Sequence, residues 1–257
     1  HLAARDLTTG DHNIAIGKSA MLGNTTSNYS TAIGSESMQL DGAGTSTTVG
    51  YYSMNAHSGD NCVGLGAYAL RKGTGAYNVG LGVSAMTNVS GGAGGVAVGY
   101  QSGYHPTGNY NTWVGYNAGF GTAAGAGYNN VGVGKEALMN ISSGYQHVAI
   151  GVAAGKSVTT ALRNVIIGAQ AVESSNTDES VIIGAYAGFG TSTAIDSSVI
   201  IGTYAVQNGS PSKAVILGRQ AGYYATGVGN TYMGYQSGFG DASTNGGTYN
   251  TAVGYEA

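Results

Sequence analysis

One short pattern recurs through the whole chain and limits what it can fold into. A β-branched residue, a variable residue, an aliphatic residue and a glycine stand in that order in SVIIGAYAGFG (180–190) and again in SVIIGTYAV (198–206). Taking that glycine as position 0, fifteen copies run from Gly17 to Gly254, and eleven of the fourteen intervals are 16 or 17 residues long. A fixed period of this kind marks a repeat architecture. A unit of about 16 residues is too short for a strand plus a crossover helix, which needs ~30 residues. It suits one turn of a β-solenoid, with successive turns pairing in parallel about 4.8 Å apart. The expectation is an all-β protein, a parallel β-roll of about 15 rungs over residues 11–257, with residues 1–10 a leader or a connection to a preceding segment.

The motif alternates as a strand does. Position −1 is Ile, Val, Leu or Met in every copy and position −3 is Val, Ile or Thr, so both point to one face. Those positions are expected to fill the interior, with Ile150, Ile167, Ile183 and Ile201 as examples. Position −2 then points the other way. It carries no charge in any copy, so that face also asks for burial. A second copy of the chain is the simplest cover, which places Trp113, Ile166, Ile182, Ile200, Ile216 and Tyr232 at an oligomer interface. Position +3 is always Ala or Ser, which signals close packing. Position +4 is either bulky and apolar or Gly, and after Gly an aromatic usually follows, as at Tyr104, Phe120 and Tyr223. That aromatic is expected to replace the missing side chain.

Composition excludes several functions. There are 47 glycines among 257 residues and no collagen triplet; the 42% of hydrophobic residues is too high for a solvated disordered chain. The nine Lys and Arg are scattered, which argues against nucleic acid as a partner. No run of 18 apolar residues offers a membrane span, so no membrane insertion is expected. Cys62 stands alone and is expected to be a buried free thiol.

The runs STAIGSESM (30–38), HVAIGVAAG (147–155), NTWVGYNAG (111–119) and NTAVGYEA (250–257) resemble the head repeat of YadA-type trimeric autotransporter adhesins, and the last is also similar to repeats of phage tail fibres. The resemblance spans nearly the whole chain from about Asn13. It implies a left-handed parallel β-roll, a homotrimer, an extracellular location on a virion tail fibre or a bacterial surface, and an adhesive role.

Chemistry is sparse. The histidines lack metal-ligand spacing, and no Ser–His–Asp set is in phase. Asp178 and Asp196 share a phase and are expected to form turns. No cofactor, no metal and no catalysis are expected. A glycan-degrading tailspike would need paired carboxylates in a groove. An ice-binding solenoid would need an unbroken threonine ladder, whereas Thr31, Thr47, Thr112, Thr231 and Thr251 are interrupted by Val. Loops on a rigid scaffold are the better place for function. The longer ones span 103–111, 119–130, 188–198 and 238–250. Tyr104, His105, Tyr110, Tyr128, Tyr223, Tyr224 and Tyr249 are the candidates there for contact with a cell-surface glycan or protein receptor.

Overall fold

The computed structural model describes residues 2–40, 44–105, 108–122, 125, 127–190, 194–240 and 246–257. Among them every regular element is a β-strand and there is no helix, so none is long and apolar enough to cross a membrane. The chain is a parallel β-solenoid of about 14 turns, divided into two compact units, His1–Asn129 and Asn130–Ala257.

The first unit holds β1 (Ile14–Ile16), β2 (Thr31–Ile33), β3 (Thr47–Val49), β4 (Ala56–His57), β5 (Val63–Leu65), β6 (Lys72–Gly73), β7 (Val79–Leu81), β8 (Asn88–Val89), β9 (Val96–Val98) and β10 (Thr112–Val114). The repeat strands stack in the order β1-β2-β3-β5-β7-β9-β10, and a short second wall stacks β4-β6-β8. The second unit stacks β11 (Val131–Val133), β12 (Val148–Ile150), β13 (Val165–Ile167), β14 (Val181–Ile183), β15 (Val199–Ile201), β16 (Val215–Leu217), β17 (Thr231–Met233) and β18 (Thr251–Val253) in chain order. Register is strict: Val165 lies beside Val181, Ile166 beside Ile182 and Ile167 beside Ile183.

Stacking at this spacing explains the glycine at position 0. A Cβ on Gly184 would sit 2.5 Å from the carbonyl oxygen of Gly202, and its φ of +141° lies where side chains are disfavoured. Three more corners of each rung turn through the left-handed region, at positions −5, +2 and +4. Position +4 carries Met21, Met38, Met54, Leu70, Met86, Leu138, Val172 and Val206 in this conformation, at φ 48° to 54°. That costs about 1–2 kcal/mol per residue. Each of these side chains is buried, which returns about 1.5–3 kcal/mol.

The interior is not the face that alternation suggested. Position −2 points inward: Ala32, Ala97, Ala149, Ile166, Ile182, Ile200 and Ile216 are fully enclosed within their own chain. Trp113 and Tyr232 are enclosed as well, at 2% and 4% exposure. The six residues expected at an oligomer seam, Trp113, Ile166, Ile182, Ile200, Ile216 and Tyr232, are therefore core residues of the solenoid. Ile150, Ile167, Ile183 and Ile201, expected inside, lie on the outer face and are half-buried or exposed.

The reason is lumen volume. Position −2 shares the lumen with positions +3 and +4, so the largest residues at −2, Trp113 and Tyr232, stand with glycine at +4. Trp113 lies against Gly103 and Gly119, and a Cβ on Gly103 would meet its Cδ1 at 2.6 Å. Where position −2 is Gly64 or Gly80, Met54 and Leu70 fill the space instead. The Ala and Ser of position +3 from Ala20 to Ser237 are fully buried, as close packing required, and Ser53 and Ser102 hydrogen-bond inward to Gly64 O and Trp113 O at 3.0 Å. The aromatic after a glycine at +4 does not replace a missing core group. Tyr104 and Phe120 stack on each other, half-buried, at 5.0 Å.

Position −4 builds a polar spine inside each unit. In the first unit the backbone N–H of one rung donates to the side chain of the rung before it: Ser30 to Asn13, Ser46 to Ser30, Cys62 to Ser46, Asn78 to the Cys62 Sγ, and Gly95 to Asn78. In the second unit the same bond runs from His147 to Asn130, Asn164 to His147, Ser180 to Asn164, Ser198 to Ser180 and Ala214 to Ser198. The spine accounts for Cys62, the expected buried free thiol, whose pKa burial pushes up. It also fixes the tautomer of His147. Nδ1 accepts from Asn164 N–H, so Nε2 carries the proton and donates to Ala161 O at 2.8 Å.

Candidate assembly and receptor-binding surfaces

Inverting the strand moves positions −3 and −1 to the outside. In each unit they form one wall, two side chains per strand, on the seven repeat strands of the first unit and the eight of the second. Each of them is Val, Ile, Leu, Thr or Met, none is charged, and none is buried by its own chain. Ile150, Leu65, Ile201, Val215 and Met233 are 39–41% exposed. A soluble surface does not ordinarily leave an apolar sheet face of this extent to water. Tyrosines at the edge of this wall pair between rungs: Tyr100 stacks on Tyr116 at 5.3 Å, and Tyr235 on Tyr255 at 5.1 Å.

Six of the seven loop candidates fall into two kinds. Tyr104 and His105 belong to an aromatic cluster with Phe120, and Tyr223 and Tyr224 to one with Phe239. Tyr110 and Tyr249 stand at left-handed corners with 65% and 79% of their surface exposed. The Tyr110 ring lies over Gly94 and the Tyr249 ring over Gly229, each a glycine one rung earlier whose Cβ would collide with it. Tyr128 is 40% exposed at position −6. Parts of the expected loops, residues 106–107, 123–124, 126, 191–193 and 241–245, lie outside the described residues.

Asp178 and Asp196, expected to form turns, instead link rungs: they pair with each other in a parallel β-bridge, Asp178 Oδ1 accepts from Leu162 N–H at 2.6 Å and Asp196 Oδ1 from Asp178 N–H at 3.2 Å, each reaching back one rung. Compared with known protein families and with curated protein sequences, the chain matches none.

Proposed function

We propose that the chain is a structural and adhesive segment of an extracellular trimeric fibre, of a phage tail or a bacterial adhesin, built as a left-handed β-roll and binding a cell-surface receptor without catalysis. The outer apolar wall carries this reading. It repeats in every rung, so its cover must be equally long and equally periodic, and a second and third copy of the same chain satisfy both conditions. Burying that wall between copies removes β-branched side chains from water at about 25 cal/mol per Å². It leaves the exposed tyrosine corners facing out, where copies of each weak contact add avidity. Trimer number, handedness and adhesive role rest on the likeness of the repeat to YadA-type heads and tail fibres.

Light scattering tests the assembly: three times the chain mass of 25.6 kDa is expected, and a monomer in solution would refute it. Binding of the assembled protein to bacterial cells tests the adhesive role, compared with a Tyr110→Ser, Tyr249→Ser variant. Equal binding by the two would remove the tyrosine corners from the receptor site.

A further inference from the structure

The first unit has a second wall whose outer face differs from the apolar one. Strands β4, β6 and β8 pair in register, Ala56 beside Lys72 beside Asn88, and His57 beside Gly73 beside Val89. His57 and Val89 point into the lumen and are fully buried. Strand alternation then sends Lys72, Thr74, Asn88 and Ser90 outward. These four, with Gly73 and Val89 as the floor, line a cavity of about 300 Å³. The floor is fixed, because Gly73 packs against the Val89 carbonyl so closely that no Cβ fits there.

We propose that this cavity is a binding site for an acidic sugar, the carboxylate of a uronic-type pyranose meeting Lys72. Its volume lies at the small end of ordinary ligand sites. Thr74 and Ser90 present hydroxyls and Asn88 an amide, which together donate to and accept from sugar hydroxyls. Among the described residues, Lys72 makes none of the ion pairs that engage Arg5, Lys135, Lys156 and Arg163, and none of the ring contacts that engage Arg71 and Arg219, which leaves its exposed ammonium available to an anion. At the next rung the wall turns aromatic. His105 Nδ1 stands 3.5 Å from Asn88 Nδ2, and its ring meets Tyr104 and Phe120 edge-on at 4.7 and 5.7 Å. A polar recess beside half-exposed rings matches a pyranose, which has polar hydroxyl edges and apolar C–H faces. The inference deepens the adhesive reading by naming the class of receptor and one place that holds it.

Titration of the assembled protein with methyl glucuronoside and with methyl glucoside, followed by ligand-observed NMR, tests it. The glucuronoside is expected to bind about fivefold more tightly, the gain of one partly exposed ion pair. Lys72→Gln, which keeps the stem and the fold, is expected to abolish that preference and leave glucoside binding in place. Asn88→Ala is expected to weaken both sugars. Equal affinity for the two sugars, no binding of either, or a preference that survives Lys72→Gln would overturn the site. Light scattering on the same samples keeps the two readings apart: a trimer that binds neither sugar refutes this site alone, and a monomer that binds the glucuronoside refutes the fibre alone.

Discussion

The inversion of the strand faces is tested most sharply by two neighbouring residues of β14. Ile182 is fully enclosed and Ile183 is on the outer wall. Truncating Ile182 to Ala removes three carbons, worth about 2.4 kcal/mol by transfer alone. The cavity left behind adds to this, because its neighbours cannot close it. Across the lumen stands Gly188, whose backbone has no side chain to move inward, and a Cβ built there would lie 3.9 Å from Ile182 Cγ2. The register neighbours Ile166 and Ile200 are held by their own rungs. The total should fall in the upper half of the 2–5 kcal/mol range for such truncations. Unfolding in guanidinium, followed by circular dichroism, measures it. Because a solenoid can unfold in part, hydrogen exchange at the amides of residues 199–202 locates the loss. A cost below about 0.5 kcal/mol, with exchange there unchanged, would place Ile182 outside the lumen and restore the opposite phase.

Two further outcomes follow from the same geometry. Ile183→Asp adds a charge to the outer wall without touching the lumen, so the chain should stay folded by circular dichroism while its mass in solution drops; an assembled Ile183→Asp protein would remove the main physical support for oligomerisation. Acid should destabilise the first unit through His57, whose pKa burial pushes down to about 4. The unfolded histidine takes up its proton near pH 6.5 and the folded one resists, so the unfolded state gains as pH falls from about 6.5 towards 4. The loss approaches about 3 kcal/mol at the lower end; His147, also lowered by burial, acts in the same direction on the second unit. Unfolding of wild type and His57→Asn between pH 7 and pH 4 checks this, and parallel pH profiles for the two proteins would contradict it.

The period, the parallel stacking and the close packing at position +3 were all legible in the sequence, because each is imposed by backbone spacing and repeats in every copy. The facing of the strand was not legible from alternation. When both faces are apolar, period 2 says that two faces exist and not which of them is the core. Charge gave no help either, since neither face carries any. The deciding signal lay elsewhere, in a trade of size between positions six residues apart. Trp113 goes with Gly119, Tyr232 with Gly238 and Ile182 with Gly188, whereas Ala32 goes with Met38 and Gly64 with Leu70; Ile166 and Ile200 sit between these extremes, with the mid-sized Val172 and Val206. A side chain packed against another molecule has no reason to shrink when a residue further along its own rung grows. One that shares a lumen with that residue must, because interiors are packed near crystal density and tolerate neither voids nor overlap.

The polar spine and the second wall were hidden for different reasons. Position −4 reads in sequence as Asn, Ser, Cys, His, Gly or Ala, a mixture with no common chemistry except that most members offer an acceptor. Only the stacking shows that each acceptor meets the N–H one rung on, which is why nothing in the sequence joined Cys62 and His147 to the serines and asparagines of the same phase. Lys72, Asn88 and His105 all stand six residues after a position-0 glycine, so their column was available by counting. But β4, β6 and β8 are two residues long. A pair of residues cannot display alternation, and without alternation nothing in the sequence says that Lys72 and Thr74 share one face while Gly73 supports them from beneath. The rung-to-rung pairing turns those scattered polar residues into one recess, and that is the part of the molecule where an acidic ligand would find both its counter-charge and a ring to lie against.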